Sequence, residues 1–349
     1  MEEKYFAASN SGRGFVSYFD SVFSPSRFEK VYIIKGGPGT GKSYFMKSAA
    51  NAAEKAGKKT ECYYCSSDQN SLDGLVIDEK IALLDGTAPH DADPAFPGAV
   101  ENIIDLGRFW NPDELAKKRE TIEELNEKKK SVYARVYHYL AACREIGAAE
   151  ETLLLQAADM KKMRRCAELC MKKIPCECEY HEKIGICDSV GMEGRVRFDT
   201  FEKKAKRIYS INDIFGSGHL FLNFVREIAS EKRMNVVLSF DPVIPERLDC
   251  VYLPKSGVLF ALGCSTDPEK TKCINMSRFI LREKLCCIKK TLKSAGKLRA
   301  AALDEALAAL EDVKNVHFEI EKIYEEAMDF KSKEEYCQDF IKKLINGLK

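Results

Sequence analysis

Short apolar runs alternate with helical spacing in the first third of the chain. "KVYIIKG" (Lys30 to Gly36) is a Val/Ile-rich run closed by glycine and predicts a buried strand. From Ser43, "SYFMKSAANAAEKAG" has helical spacing and stops at Gly57. "KKTECYYCSS" predicts a second strand, "SLDG" a turn, and "LVIDE" and "KIALLDG" two further apolar segments, the last ending at Asp85. Strand, loop, helix, strand is an α/β order with parallel strands. The segment "DGTAPHDADPAFPG" carries too much Pro, Asp and Gly for a regular element and predicts a loop. After it the period changes. Asn111 and Pro112 start a long helical pattern, with a turn expected near Gly147 and a second helical run through "MKKMRRCAELCMKK".

The α/β pattern then restarts. "KRIYSIN", "MNVVLSFDP", "RLDCVYLP" and "GVLFALG" read as strands and "HLFLNFVREIASEKR" as a helix, and the chain after Asp267 is helical. A shift of 177 lays Tyr209 on Tyr32 and Ile211 on Ile34. It also lays Gly216, Ser217 and Gly218 on Gly39, Thr40 and Gly41. With one residue of slippage "RLDCVYL" meets "SLDGLVI", and upstream "EGRVRFDTF" resembles "GRGFVSYFD". The pattern predicts a duplicated α/β unit, each copy followed by a helical arm. The expected boundaries are 1–110 (first core), 111–185 (helical hairpin), 186–266 (second core) and 267–349 (C-terminal arm).

With 349 residues, 45% of them hydrophobic and 31% charged, the chain has the composition of a globular protein large enough for several cores. A net charge of +1 gives no global field toward nucleic acid or membrane, and neither partner is expected. No apolar stretch has signal-peptide or membrane-span character, so a cytoplasmic location is expected. Fourteen cysteines in such a chain read as free thiols in a reducing compartment.

The chemistry concentrates in "GGPGTGKS", Gly36 to Ser43. G-x-x-x-x-G-K-S directly after a strand and before a helix is the context of a phosphate-binding loop. Gly36, Gly37, Gly39, Thr40 and Gly41 would wrap phosphates with backbone N–H groups at a helix N-terminus. Lys42 would meet the terminal phosphates of ATP or another nucleoside triphosphate, and Ser43 would bind Mg²⁺. Asp85, at the end of "IALLD", is the first choice for the second Mg²⁺ carboxylate, with Asp78 and Glu79 as the alternative. Thr87, His90, Asp91 and Asp93 follow Asp85 in a loop that could serve a substrate or a water. Gly86 after Asp85 leaves out the adjacent acid that often activates water, which argues against a fast ATPase and leaves kinase or slow switch chemistry open. Arg13 and Arg108 are candidates to neutralise transition-state charge, against the plain reading of surface arginines.

In the second copy Asp213 stands where Gly36 would, His219 where Lys42 would, and Leu220 where Ser43 would. Those changes remove charge and a metal ligand, so this copy is expected to keep the fold without binding nucleotide. The stretches "GRGFVSYFDS", "KGGPGTGKS", "CSSDQNSLDG" and "IALLDGTAPH" resemble a family of tandem P-loop ATPase-like proteins of Gram-positive bacteria, over nearly the whole length. The resemblance implies the P-loop fold and nucleotide binding, and names no further substrate. The family's second half carries a phosphate loop of its own, a pattern from which this chain departs at Asp213, His219 and Leu220.

Cys62 and Cys65 have C-x-x-C spacing, but alternation along a strand points such residues to opposite faces. Cys166, Cys170, Cys176, Cys178, His181 and Cys187 could offer zinc ligands, although their spacing matches no standard module. The helical arms could self-associate, bind a partner protein or cover the nucleotide. Three functions fit the sequence: a slow ATPase whose nucleotide state moves the arms, a phosphotransferase acting on a small metabolite, and a non-catalytic nucleotide-binding scaffold.

Overall fold

The computed structural model describes residues 2–90, 92–263 and 267–348. The first half runs β1 (Glu2–Phe6), β2 (Ala8–Ser11), β3 (Gly14–Ser17), α1 (Phe19–Val22), β4 (Lys30–Lys35), α2 (Lys42–Lys55), β5 (Thr60–Tyr64), β6 (Leu72–Ile77), β7 (Ile81–Asp85) and β8 (Glu101–Asp105). Its arm is α3 (Pro112–Lys117), α4 (Arg119–Ala157) and α5 (Met160–Met171). The second half runs β9 (Glu182–Ile184), β10 (Asp188–Gly191), β11 (Gly194–Arg197), α6 (Thr200–Lys204), β12 (Arg207–Asn212), α7 (Gly218–Glu231), β13 (Val236–Phe240), β14 (Leu248–Leu253), β15 (Val258–Leu262) and β16 (Thr271–Asn275). Its arm is α8 (Arg282–Glu326) and α9 (Phe330–Gly347).

Two six-stranded sheets result, ordered β1-β5-β6-β7-β4-β8 and β9-β13-β14-β15-β12-β16. The offset of 177 read in the sequence carries β4 onto β12 end for end. Neither sheet is wholly parallel, as the sequence had suggested. β6 runs against β5 and β7, and β14 against β13 and β15. The reason is local. Asp78 and Glu79 take φ values of 50° and 60°, and Lys80 N–H closes the turn on the Ile77 carbonyl at 3.0 Å. A turn that tight joins antiparallel neighbours and cannot make a crossover.

Both faces of each sheet are covered, which is why the central strands read as continuous apolar runs. Val31 and Ile33 of β4 point into a core shared with Phe201, Tyr252 and Leu259 of the second half. Ile34 points the other way, toward Phe45, Met46 and Ala49 of α2.

The arms differ from the expected hairpin. α4 continues through Gly147 without a turn and packs antiparallel along α8, so that Lys118 meets Glu326 and Glu150 meets Arg299. Gly147 is a packing glycine. A Cβ there would come within 2.6 Å of Ile244. The short helices then cross over. α5 lays Met163, Ala167 and Met171 on α7 of the second half. α9 lays Cys337 and Leu344 in the core with α2 of the first half. Each half is therefore roofed by the other's arm. Among the described residues, no helix is long and apolar enough to cross a membrane.

Candidate functional site

The loop between β4 and α2 sits at the edge of the first sheet where β4, β7 and β8 end. Gly39 and Gly41 have φ of +73° and +78°, a region side chains disfavour. The Lys42 ammonium folds back on the loop, donating to the carbonyls of Gly36 (2.5 Å) and Gly37 (2.9 Å). It lies 3.5 Å from Asp85 Oδ2. Thr40 Oγ1 donates to the Gly37 carbonyl at 2.9 Å. Ser43 Oγ accepts from Leu72 N–H at 2.9 Å, which ties α2 to the start of β6.

Asp85 is buried beside Lys42. Its Oδ1 accepts from Thr87 N–H at 2.9 Å and from the Thr87 hydroxyl. Burial pushes its carboxyl above the usual range, Lys42 pulls it back, and Asp73 nearby adds to the rise. Asp78 and Glu79, the alternative pair, lie on the turn that precedes β7, at the far end of the sheet. Asp78 there accepts from Lys59 N–H at 2.8 Å and pairs with Lys58 at 3.2 Å. β6 runs against its neighbours, so its C-terminal end is not the loop end.

Asp73 was missed in the sequence. It is buried, and its Oδ2 lies 3.0 Å from His90 Nε2. His90 is no solvated loop residue. Its ring stacks on Phe19 at 4.0 Å and anchors the segment after β7. Asp93 is exposed and pairs with Lys35 at 3.1 Å. Asp91 lies outside the described residues. Arg13 pairs with Glu246 of the second half. Arg108 stacks on Phe109 and Tyr336 at 5.3 and 5.4 Å.

The second half's arm closes over the loop, which no sequence signal foretold. A Cβ on Gly37 would come within 4.0 Å of Tyr324, one on Gly39 would meet the Glu321 carbonyl at 2.8 Å, and one on Gly41 would meet Lys333 Nζ at 3.0 Å. The Glu321 carboxylate stands near the Gly39 backbone. Burial raises the Glu321 carboxyl, and Glu325 and Asp68 raise it further. One turn back on α8, His317 Nδ1 lies 2.9 Å from Lys129 Nζ of α4. Burial and the lysine hold His317 down at about 4, and burial lowers Lys129.

In the second half the equivalent loop is filled from within. Asp213 accepts from the N–H groups of Phe215 (3.3 Å), Gly216 (3.0 Å) and Gly218 (2.6 Å), and from Ser217 Oγ (3.3 Å). His219 is buried 3.1 Å from Glu151 of α4, and burial and Arg247 lower its pKa. Leu220 packs into the core.

Comparison of the chain with protein-family models, with curated proteins and with solved structures gives no match in any of the three. The cysteines divide without forming a centre. Cys62 is buried against α2, and Cys65 lies beyond the end of β5. Cys166 and Cys170 pack on the second half's core, Cys187 is buried between the sheets, and Cys176 and Cys178 are exposed. His181 stands 3.1 Å from Glu179. Among the described residues, no group of three or more His, Cys, Asp or Glu side chains could hold a metal ion.

Proposed function

We propose that the first half is a Mg²⁺- and ATP-binding P-loop unit, a slow ATPase whose nucleotide state moves the helical arms. We read the second half as a copy that has lost its site. The observation that carries the reading is the seating of α8 on the glycine loop, where a Cβ on Gly39 would meet the Glu321 carbonyl at 2.8 Å. An acidic residue of the opposite half, Glu321, therefore stands over a glycine loop at a helix N-terminus. A phosphate entering that loop meets the Glu321 charge, and the side chain has to move away. The matching strand orders of the two sheets support common descent of the halves. They fit the tandem P-loop resemblance.

The donor set suits Mg²⁺. Ser43 offers a hydroxyl at the start of α2, and Asp85 offers a buried carboxylate beside Lys42. Those two residues would hold the ion, which supplies charge stabilisation to the terminal phosphates. Thr87 and His90 are engaged within the protein, which favours hydrolysis over transfer to a metabolite held by that loop.

Glu321→Gln removes the competing charge. It should tighten Mg·ATP binding by about tenfold, the scale of one hydrogen bond to a charged group. Titration calorimetry reads this directly, and unchanged affinity would show that Glu321 does not compete with phosphate. Hydrogen exchange in α8 around Glu321 should change on adding Mg·ATP, and unaltered protection would count against arm movement. Asp85→Asn should cut steady-state turnover by about 100-fold or more, as expected when a metal carboxylate loses its charge. Asp78→Asn should leave turnover unchanged, since its carboxylate serves only the far turn. The reverse ranking would remove Asp85 from the metal site.

A further inference from the structure

We infer that the base and ribose of the nucleotide are held by the C-terminal arm, in the cleft where α9 crosses the start of α2. This rests on the reading of the first loop as a triphosphate site. The cleft has a volume of about 680 Å³, within the usual range for small-molecule sites, and Gly39, Gly41, Tyr44, Glu325, Phe330 and Lys333 line it. Four aromatic side chains rank among the exposed large apolar residues described. Two of them, Tyr44 (58% exposed) and Phe330 (42%), flank this one cleft.

Lys333 stands between those rings, its ammonium 5.2 Å from the Tyr44 centroid and 5.6 Å from the Phe330 centroid. It is only 4% exposed. Among the described residues its ammonium makes no hydrogen bond, and its nearest carboxylate, Glu334, is 3.8 Å away. It points at Gly41, the residue that caps α2. A helix N-terminus carries partial positive charge, so a buried cation there is electrostatically unfavourable by itself. An anion bound at that N-terminus relieves both cations, Lys42 and Lys333. The arrangement suits a phosphorylated nucleoside. Lys333 would meet the phosphate nearest the ribose, the exposed ring of Tyr44 or of Phe330 would stack the base, and Glu325 would accept from a base amino group. A bare tripolyphosphate would use the loop and Lys333 but neither ring.

The test titrates intact wild-type, Tyr44→Ala and Phe330→Ala proteins with Mg·ATP and, separately, with Mg·tripolyphosphate. Base stacking on an aromatic contributes about 1–3 kcal/mol. Wild type should therefore bind ATP at least about tenfold more tightly than tripolyphosphate. The alanine variant that removes the stacking ring should lose about tenfold in ATP affinity, and both variants should keep their tripolyphosphate affinity. Both side chains are exposed, and retained tripolyphosphate binding reports an intact loop. Equal affinities for the two ligands in wild type, or ATP affinity unchanged in both variants, would overturn the nucleoside cleft and leave the phosphate loop standing. If neither ligand binds wild type, the phosphate-loop reading falls and the cleft falls with it.

Discussion

Lys42→Ala should eliminate measurable Mg·ATP binding while the protein stays folded. The ammonium now rests on the Gly36 and Gly37 carbonyls and beside Asp85. Those are stand-in partners at the mouth of the loop, and phosphate oxygens would replace them. Removing the lysine removes two or more charge-assisted bonds to the ligand. At about 1.5–3 kcal/mol each, that lowers affinity by at least about 100-fold. The fold has little at stake. Asp85 keeps its two bonds from Thr87, and burial already raises its carboxyl, so it can protonate when the cation is gone. Circular dichroism and a melting curve establish the folded state, and calorimetry gives the affinity. A variant that binds Mg·ATP as tightly as wild type would remove Lys42, and the loop with it, from the proposed site.

Periodicity revealed the central strands because both of their faces are buried. β4, β7 and β15 read as near-continuous apolar runs. The outer strands were not legible. β1, "EEKYF", mixes charge into a short edge strand, and β16, "TKCIN", has one fully buried residue. Gly147 misled because a glycine inside a helical pattern marks either a stop or a close approach, and the sequence does not distinguish them. The crossing of the arms was invisible for a related reason. The apolar stripe of α9 states that it packs, not on which half. Glu321 and Lys333 were hidden in the same way, as ordinary charged positions on helices until the fold sets them against the loop. Asp73 did leave a trace. The alignment of "SLDGLVI" with "RLDCVYL" pairs it with Asp249, and both are buried carboxylates at the start of an antiparallel strand. A shared acid in two otherwise divergent segments was the available signal.

The chain should bind one nucleotide, in the first half only. Asp213 supplies the reason in its own hydrogen bonds. Three backbone N–H groups and the Ser217 hydroxyl converge on its carboxylate, the geometry a loop of this kind offers to a phosphate. A ligand would have to break all four contacts and bring a like charge against the carboxylate. His219, buried and lowered in pKa, restores none of the charge that Lys42 provides in the first loop, and Leu220 is committed to the core. The carboxylate therefore does structural work that a phosphate cannot displace. Asp213→Ala should lower stability by about 1–3 kcal/mol, because the converging N–H groups lose their acceptor, and should create no second site. Equilibrium titration with Mg·ATP should give a stoichiometry near one in wild type and in Asp213→Ala, and none in Lys42→Ala. A value near two per chain in wild type, with half of it surviving Lys42→Ala, would mean that the second loop releases Asp213 to bind nucleotide.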